Sequence, residues 1–468
     1  MSKDMKKKVI GEVISILLAA VIALMAPPDG LTRQSMIVLG VLVWAVANWI
    51  IRWFDDYVVA MMMCFMFAAF KAVSFNVAFN GFSTSTWWIL IGALAIGVGV
   101  NKSGLLKRVS LGALRLFPPT YRGQVMAMIG AGTVAAPLIP STTAKCAITA
   151  PIAMGIADQL GFPKQGQGRA GLFSAVYVGF SLNGVVFVSA SFLGYTMLGA
   201  LPPEVAAQYD WLTWFIAMIP WTIVLLAGSY FFITKAYKPE TSATLPPDHI
   251  KKQLEALGPM SKNEKIVTLI LAICLIFWIG ESYLGVPAVI PTGIAMCILL
   301  MTNVIDKKDF HSKMLWSLMM FIGCAMSLGS ILSNVGVDAW LKQMIAPLAE
   351  AISNPYLLII FMALLIYALR SVITSLSTSI VMFTTIFYPI AQAAGMDPWI
   401  AGMVVYCSTM VWYVRYQNAN FLSAFAANGG DDMVLYNDTI KMSFGYMAIS
   451  LIGLLVSVPY WQMLGMIR

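Results

Sequence analysis

The chain has 468 residues, of which 60% are hydrophobic and only 11% are charged, with a formal net charge of +8 and a mean hydropathy of +0.82. These values exclude an ordinary soluble domain and indicate a polytopic membrane protein. Each crossing needs about 20 apolar residues, so the chain has room for roughly eleven crossings. The excess of positive charge fits membrane orientation, and we expect no nucleic-acid partner.

The first half of the chain is a series of apolar stretches. A basic start, Met1 to Lys8, precedes an apolar run from Val9 to Ala26 that has no clear cleavage site, so we interpret this run as an uncleaved first helix. The positive-inside rule places the N-terminus in the cytoplasm. The spans predicted here are 9–27, 35–53, 57–78, 123–160, 170–200 and 211–235.

A polar stretch at 237–264, with several lysines beside Pro246 and Pro247, is predicted to be a cytoplasmic linker. It separates a first half, 1–236, from a second half, 265–468. Arg52 and the basic group from Lys102 to Arg115 are expected on the same side. The spans predicted after the linker are 265–284, 286–304, 355–394, 399–427 and 441–464.

The two halves carry the same order of motifs. Each has a tryptophan, a glycine-containing apolar turn, a cluster of small hydroxyl residues and a Pro-Ile pair, at Trp88, Gly92, Gly104, 140–145 and 151–152 and again at Trp316, Gly323, Gly336, 375–379 and 389–390. A duplicated pattern of interrupted helices indicates a secondary transporter whose site lies where the repeats meet. We predict re-entrant hairpins at 84–115 and 314–347 and interrupted helices at 123–160 and 355–394. Ordinary spanning helices are the alternative for the two hairpins.

The hydroxyl clusters suit the binding of a small anion. Ser141, Thr142 and Thr143 lie between two prolines, which favours a broken helix. Such a break exposes N–H groups that attract anions and carbonyl groups that can hold a cation. The second cluster repeats the arrangement with Ser375, Ser377, Thr378 and Ser379. The alternative for either cluster is that its hydroxyl groups only bond to carbonyls of their own helix.

The motif 140–145, Pro-Ser-Thr-Thr-Ala-Lys, resembles the Ser-Asn-Thr signature of the divalent anion/sodium symporter family, which carries dicarboxylates, citrate or sulfate. Ser377-Thr-Ser379 lies where that family has its second triplet, within a stretch, 375–379, that leaves the register of the triplet open. Residues 415–422 resemble the family's Thr-Pro-Pro-Asn loop, and 189–193 resemble its first-half counterpart. The chain departs from the family pattern: both triplets lack the central Asn, Gln417 replaces a Thr, and the paired prolines are absent.

This resemblance implies a homodimer in the bilayer, whose protomers each move a transport domain against a scaffold as an elevator. The substrate-binding residues that it implies are Ser141, Thr142, Thr143, Ser377, Thr378, Ser379, Gln417 and Asn418. It also implies sodium as a coupling ion, and the candidates for holding sodium, or replacing it, are Ser141, Thr142, Lys145, Thr378 and Tyr416. Exchanger members carry a basic residue where Lys145 lies, so exchange stays open.

Three basic residues fall within apolar segments, where a charge usually faces a cavity or a partner. Lys145 lies one helical turn after Ser141. Arg370 and Arg415 are candidates for the countercharge of a bound anion, and snorkelling to a lipid headgroup is the alternative for both.

The sequence therefore predicts an all-α polytopic membrane protein with two inverted repeats, each with a re-entrant hairpin and an interrupted helix. The predicted function is sodium-coupled symport of small di- or tricarboxylates across the cytoplasmic membrane. The alternatives are sodium-independent dicarboxylate or citrate exchange, transport of a sulfate-like anion, and an anion channel. We expect no enzyme activity, no cofactor and no metal other than sodium, because the chain lacks the usual catalytic, metal-binding and phosphate-binding motifs.

Overall fold

The computed structural model describes residues 3–246, 248–341, 343–344 and 354–468. Within these residues the only β pairing is an isolated bridge between Met396 and Ile467, so the predicted all-α class is confirmed. The principal α-helices, numbered in chain order, are α1 (Lys3–Leu24), α2 (Arg33–Ile51), α3 (Asp56–Ala69), α4 (Ser85–Ser103), α5 (Leu105–Leu114), α6 (Tyr121–Ala135), α7 (Thr142–Gln159), α8 (Gln167–Phe180), α9 (Phe192–Gly199), α10 (Trp211–Ala217), α11 (Ile219–Ala236), α12 (His249–Glu255), α13 (Lys262–Ile279), α14 (Val289–Met301), α15 (Trp316–Asn334), α16 (Pro355–Leu369), α17 (Leu376–Ala393), α18 (Pro398–Thr409), α19 (Ala419–Ala427) and α20 (Tyr436–Met463). Shorter helices lie at Phe75–Ala78, Pro203–Ala206, Glu281–Leu284 and Lys307–Ser312.

Several helices have the length and the surface of membrane spans. In the described part of the chain, α2, α11, α15, α17 and α20 are long and apolar enough to cross a bilayer, and the bent pair α4–α5 adds a sixth if it counts as one span. α13 is apolar on both faces: Leu269, Ile273 and Ile276 are exposed, whereas Ile270 and Cys274 are buried. Because a row of exposed apolar side chains along one helix face is rarely left in water, we assign this face of α13 to lipid.

The packing of the helices repeats between the two halves. The contact between α4 of the first half and α14 of the second corresponds to the contact between α15 of the second half and α3 of the first. In the same way, the contact between α7 and α19 corresponds to the contact between α17 and α9. Each of these pairs joins one helix from each half, so the halves interlock. Within the halves, α6 pairs with α8 as α16 pairs with α18. The internal repeat that the motifs predict is therefore present in the packing.

The segment 121–160 is a re-entrant hairpin. α6 and α7 are separated by a break at 136–141, and the rings of Tyr121, before the break, and Phe162, after it, lie 5.8 Å apart. Both ends also contact the linker, because Leu245 N–H donates to Pro119 O at 2.9 Å and the Thr241 hydroxyl donates to Leu160 O at 2.7 Å. The two arms have 15 and 18 residues, so the tip of the hairpin lies more than about 20 Å from its open end at Tyr121 and Phe162.

The hairpin therefore lies where the sequence predicted an interrupted helix. In the predicted hairpin at 84–115, α4 and α5 meet at 73° across Gly104, and α5 turns aside instead of returning along α4. The reason is the break itself: Pro137 and Pro140 remove N–H donors and end the helix, whereas one glycine with a φ of 83° only bends it. The second half is broken in the same place, between α16 and α17, while residues 342 and 345–347 of the predicted hairpin at 314–347 lie outside the described residues.

Two further predicted spans are also broken. The stretch predicted as 170–200 consists of α8, two 3-10 turns and α9, and the stretch predicted as 399–427 consists of α18, a non-helical segment at 410–418 and α19. In each half a hairpin tip is thus accompanied by an unwound segment.

Ion pairs connect the amphipathic helix α5 and the end of α4 to the second half. Arg108 Nε donates to Glu264 at 2.7 Å and Arg108 Nη1 to Gly258 O at 3.0 Å, which joins α5 to the linker. Lys102 pairs with Asp306 at 2.8 Å and with Asp309. The basic group from Lys102 to Arg108 therefore lies on the same side as the linker.

Candidate functional site

The first hydroxyl cluster lies at the tip of the hairpin, at the N-terminus of α7. Ser141 is the N-cap of this helix, and its hydroxyl accepts a hydrogen bond from Ala144 N–H at 3.2 Å. The N-terminal end of α9 adjoins the tip, because Phe192 N–H donates to Pro140 O at 3.1 Å. Helix N-termini carry partial positive charge, so their meeting here favours an anion.

The other two residues of the first cluster are held by Asn420. Its amide group donates to the Thr142 hydroxyl at 3.0 Å, and its amide oxygen accepts from the Thr143 hydroxyl at 2.9 Å. The sequence instead selected Asn418, which caps α19 by accepting from Phe421 N–H at 3.1 Å and donating to Met410 O at 3.2 Å. The residue of this loop that reaches the first cluster is therefore Asn420.

Lys145 is fully buried beside the first cluster. Its ammonium group donates to Ala190 O at 3.0 Å and to Ala136 O at 3.5 Å. Both carbonyl groups belong to breaks in the helices, one in the hairpin tip and one in the unwound segment after α8. No acidic side chain pairs with Lys145 among the residues that the structure describes. The basic side chain of Lys145 thus occupies the kind of carbonyl site that a bound cation would use.

The second cluster lies at the N-terminus of α17. Ser375 is the N-cap and accepts from Thr378 N–H at 3.3 Å, and the Ser379 hydroxyl donates to Ser375 O at 2.7 Å. Ser377 points elsewhere, into a cavity of about 540 Å³ that it lines together with Asp56. The four hydroxyl groups therefore divide between the break in the helix and the cavity.

Arg370 is fully buried at the second cluster, so the alternative in which it snorkels to a headgroup is wrong. Its guanidinium group donates to Thr409 O at 3.0 Å, to Gln417 O at 2.6 Å, to the Ser379 hydroxyl at 3.2 Å and to the carbonyl of Ile373. The second break thus also contains a basic side chain bound to backbone carbonyl groups, as the first does.

An acidic residue that the sequence analysis missed, Asp56, reaches the second cluster from the start of α3. Its Oδ2 atom accepts hydrogen bonds from the Ser375 hydroxyl at 2.7 Å and the Thr378 hydroxyl at 2.9 Å. The sequence separation of more than 300 residues hides this contact from any local pattern.

Arg415 and Tyr416 lie away from the buried groups. The Arg415 side chain is 59% exposed, pairs with Asp431 and lies 5.3 Å from the ring centroid of Tyr436. Its charge is already compensated, which argues against the predicted role as countercharge of a bound anion. Tyr416 is 61% exposed, and its hydroxyl group donates to Ser371 O at 3.1 Å.

One loop connects the two clusters. Gln417 O is bound by Arg370, and Asn420, three residues further along, holds the first cluster. Three residues span at most about 11 Å, so both hydroxyl clusters lie around this loop. Gln417 itself is fully buried, and its side-chain amide N–H group has no hydrogen-bond partner in the described structure. An unpaired buried donor is costly, and a bound anion would satisfy it.

The comparisons with known proteins agree with this architecture. Residues 6–467 match the family model of the sodium:sulfate symporter transmembrane region. The chain is 23% identical to the chloroplastic dicarboxylate transporter 1 of Spinacia oleracea, over 84% of this chain and 70% of that protein. It is 23% identical to the L-tartrate/succinate antiporter of Escherichia coli (strain K12), over 83% of this chain and 84% of that protein. The crystal structure of the YdaH transporter of Alcanivorax borkumensis has a similar fold, with a TM-score of 0.59 and 15% identity over 99% of both chains.

Proposed function

The chain belongs to the sodium:sulfate symporter transmembrane family of membrane transporters, and from that premise we propose that it exchanges small dicarboxylates across the cytoplasmic membrane without a coupling sodium ion. Its N-terminus and linker would face the cytoplasm, and the two clusters would bind the anion as an elevator-type domain moves. Relatives named as dicarboxylate transporters and as a tartrate/succinate antiporter support this substrate class.

The observation that carries the proposal is the pair of buried basic residues. Lys145 binds the carbonyl groups of Ala190 and Ala136 at the first break, and Arg370 binds those of Thr409 and Gln417 at the second. A sodium ion would need the same kind of carbonyl oxygens. Because the fixed cations already use them, they can supply the positive charge that an anion needs.

The anion would bind between the hydroxyl clusters. Thr142 and Thr143 are held in place by Asn420, and the free amide N–H of Gln417 offers a donor to a carboxylate oxygen. These groups are neutral, so they orient the substrate without binding it too tightly for release. The basic residues contribute charge from behind the clusters and keep their own hydrogen bonds.

Sodium-coupled symport is the second candidate, and Asp56 is the observation that favours it. A carboxylate beside the hydroxyl groups of Ser375 and Thr378 offers oxygen ligands of the type that hard cations prefer. Asp56 contacts the Ser375 hydroxyl, whereas Arg370 contacts the Ser375 carbonyl oxygen.

Transport into proteoliposomes separates the two candidates. Uptake of labelled succinate is measured into vesicles that are empty or preloaded with unlabelled succinate, in sodium or in potassium buffer. We expect uptake only into preloaded vesicles and equal rates in the two buffers. Uptake into empty vesicles that is driven by a sodium gradient would establish symport instead.

A further inference from the structure

Asp56 joins two helices, α3 and α17, that have different immediate neighbours, although α9 contacts both α15 and α17. Its helix, α3, packs on α2 and α15, whereas α17, which carries the second cluster, packs on α9, α16 and α18. The hydrogen bonds from Ser375 and Thr378 to Asp56 therefore connect these two helices. Any movement of one helix against the other must break them.

The Asp56 carboxylate binds the cluster as a substrate carboxylate would. One oxygen, Oδ2, accepts from both hydroxyl groups at 2.7 and 2.9 Å, which are normal distances for O–H···O hydrogen bonds. In the described residues no lysine or arginine forms an ion pair with Asp56. Arg370 contacts the backbone of the same residue, with Nη1 3.5 Å from the Ser375 carbonyl oxygen, so the acid and the base both bind Ser375.

The contact is also within reach of a solute. Asp56 and Ser377 line the cavity of about 540 Å³ together with Arg52, Asp55 and Tyr57. A dicarboxylate is small compared with this volume. An entering anion can therefore approach the hydroxyl groups from the side that Asp56 occupies.

We propose that Asp56 is a latch that holds the empty carrier still. Without substrate, its carboxylate occupies the hydroxyl groups of Ser375 and Thr378 and ties the second cluster to α3. A substrate carboxylate displaces it, takes over the two hydroxyl groups and frees α17 to move with its cargo. The inference rests on the proposed exchange function and gives it a cause: the carrier returns only when another anion releases the latch.

The test uses the full-length protein in proteoliposomes. Uptake of labelled succinate is compared between empty and preloaded vesicles for the wild type, Asp56→Ala and Asp56→Asn. Two hydrogen bonds to a carboxylate are lost in Asp56→Ala, so uptake into empty vesicles should rise by at least about tenfold while exchange stays within about twofold. Asp56→Asn, which keeps an acceptor oxygen but not the charge, should lie between the wild type and Asp56→Ala.

Asp55→Ala is the matched control, because Asp55 lines the same cavity, carries the same charge and makes no capping hydrogen bond with its side chain. Asp55→Ala should keep the wild-type ratio of uptake into preloaded vesicles to uptake into empty vesicles. An equal ratio in Asp56→Ala and the wild type would overturn the latch, as would the same change in Asp55→Ala. Loss of all uptake in Asp56→Ala, with sodium dependence in the wild type, would identify Asp56 as a cation ligand and also overturn it.

Equilibrium binding of succinate to the purified protein separates the latch from the proposed function. If Asp56 competes with the substrate, Asp56→Ala should bind succinate about tenfold more tightly than the wild type does. A wild type that does not exchange would refute the proposed function, but tighter binding by Asp56→Ala would still support the latch. Unchanged or weaker binding would refute the latch even in a carrier that exchanges.

Discussion

Replacing Lys145 by alanine tests whether a fixed cation takes the place of sodium at the first cluster. The ammonium group has one carbonyl acceptor at 3.0 Å, Ala190 O, and a second at 3.5 Å, Ala136 O, which is at the limit of a hydrogen bond. The substitution leaves both carbonyl oxygens without a cation and opens space at the break. The first cluster keeps its cap from Ser141 and its contact with Asn420, so the tip should still fold.

The size of the effect follows from the contact at 3.0 Å. A hydrogen bond from a charged donor contributes about 2 kcal/mol, and the contact at 3.5 Å adds little. If this free energy supports the conformation that binds the anion, its loss weakens apparent affinity about 30-fold. We therefore expect the KM for succinate exchange to rise by about that factor in potassium buffer.

Sodium should reverse part of the loss. The freed carbonyl groups offer oxygen ligands to a small cation, so Lys145→Ala should exchange faster in sodium than in potassium, while the wild type should not distinguish the two buffers. The assay is labelled succinate exchange in preloaded vesicles at several sodium concentrations. Lys164→Ala, which removes an exposed lysine from the turn after α7, controls for the change of net charge. Full exchange in Lys145→Ala, or a loss that sodium does not relieve, would refute the reasoning.

Three further predictions concern the second half and its ion pairs. Asn420→Ala should raise the KM for succinate at least about tenfold, because it releases Thr142 and Thr143. The control Asn428→Ala, at the end of α19, should leave the KM unchanged. Equal effects of the two substitutions would remove Asn420 from the site. Arg370→Lys should lower the melting temperature in detergent, because an ammonium group cannot reach acceptors on three separate segments; an unchanged melting temperature would contradict this role. The hydrogen bond to Lys102 holds the pKa of Asp309 well below its usual range, so the ionised Asp309 stabilises the folded protein above about pH 4, and this stabilisation is lost as the pH falls further. The difference in melting temperature between the wild type and Asp309→Asn should therefore shrink on acidification. A difference that grew would contradict the stabilising role of the pair.

The sequence predicted the helical class and the internal repeat because both depend on features that are periodic along the chain. Apolar stretches and duplicated motifs can be recognised without knowledge of tertiary contacts. The position of the hairpin was harder to predict, since a glycine turn and a pair of prolines both interrupt a helix. The contact between Tyr121 and Phe162, together with the contacts of both hairpin ends with the linker, distinguishes a chain that reverses from one that bends.

The side chains at the site show the same limit. Asn418 and Asn420 lie two residues apart in one motif, but the first caps its own helix and the second reaches Thr142 and Thr143 on another. Which amide faces which element depends on how α19 packs on α7. Asp56 was missed for a similar reason: at the start of α3 it reads as an ordinary residue of a first helical turn, and its partners lie in the other half of the chain.

The sequence identified the basic residues that need polar partners more reliably than it predicted what each of them does. The cost of a charge inside the membrane singled out Lys145 and Arg370, but for Arg370 it left snorkelling to a lipid headgroup as the alternative, and the structure buries both residues among polar partners. For Arg415 the same argument failed, because its segment is unwound and Asp431 lies close enough to neutralise it. The helical pattern alone did not reveal that the segment leaves the apolar interior.

The unlike cations at the two breaks have a consequence for the resting state. If the two repeats were identical, the proposed carrier would spend equal time open to either side of the bilayer, because a two-fold rotation in the membrane plane would relate the two orientations. A single ammonium group at one break and a guanidinium group that joins several segments at the other remove this equivalence. If the protein works as the proposed exchanger, its two orientations would then differ in free energy, and the unloaded protein would favour one of them.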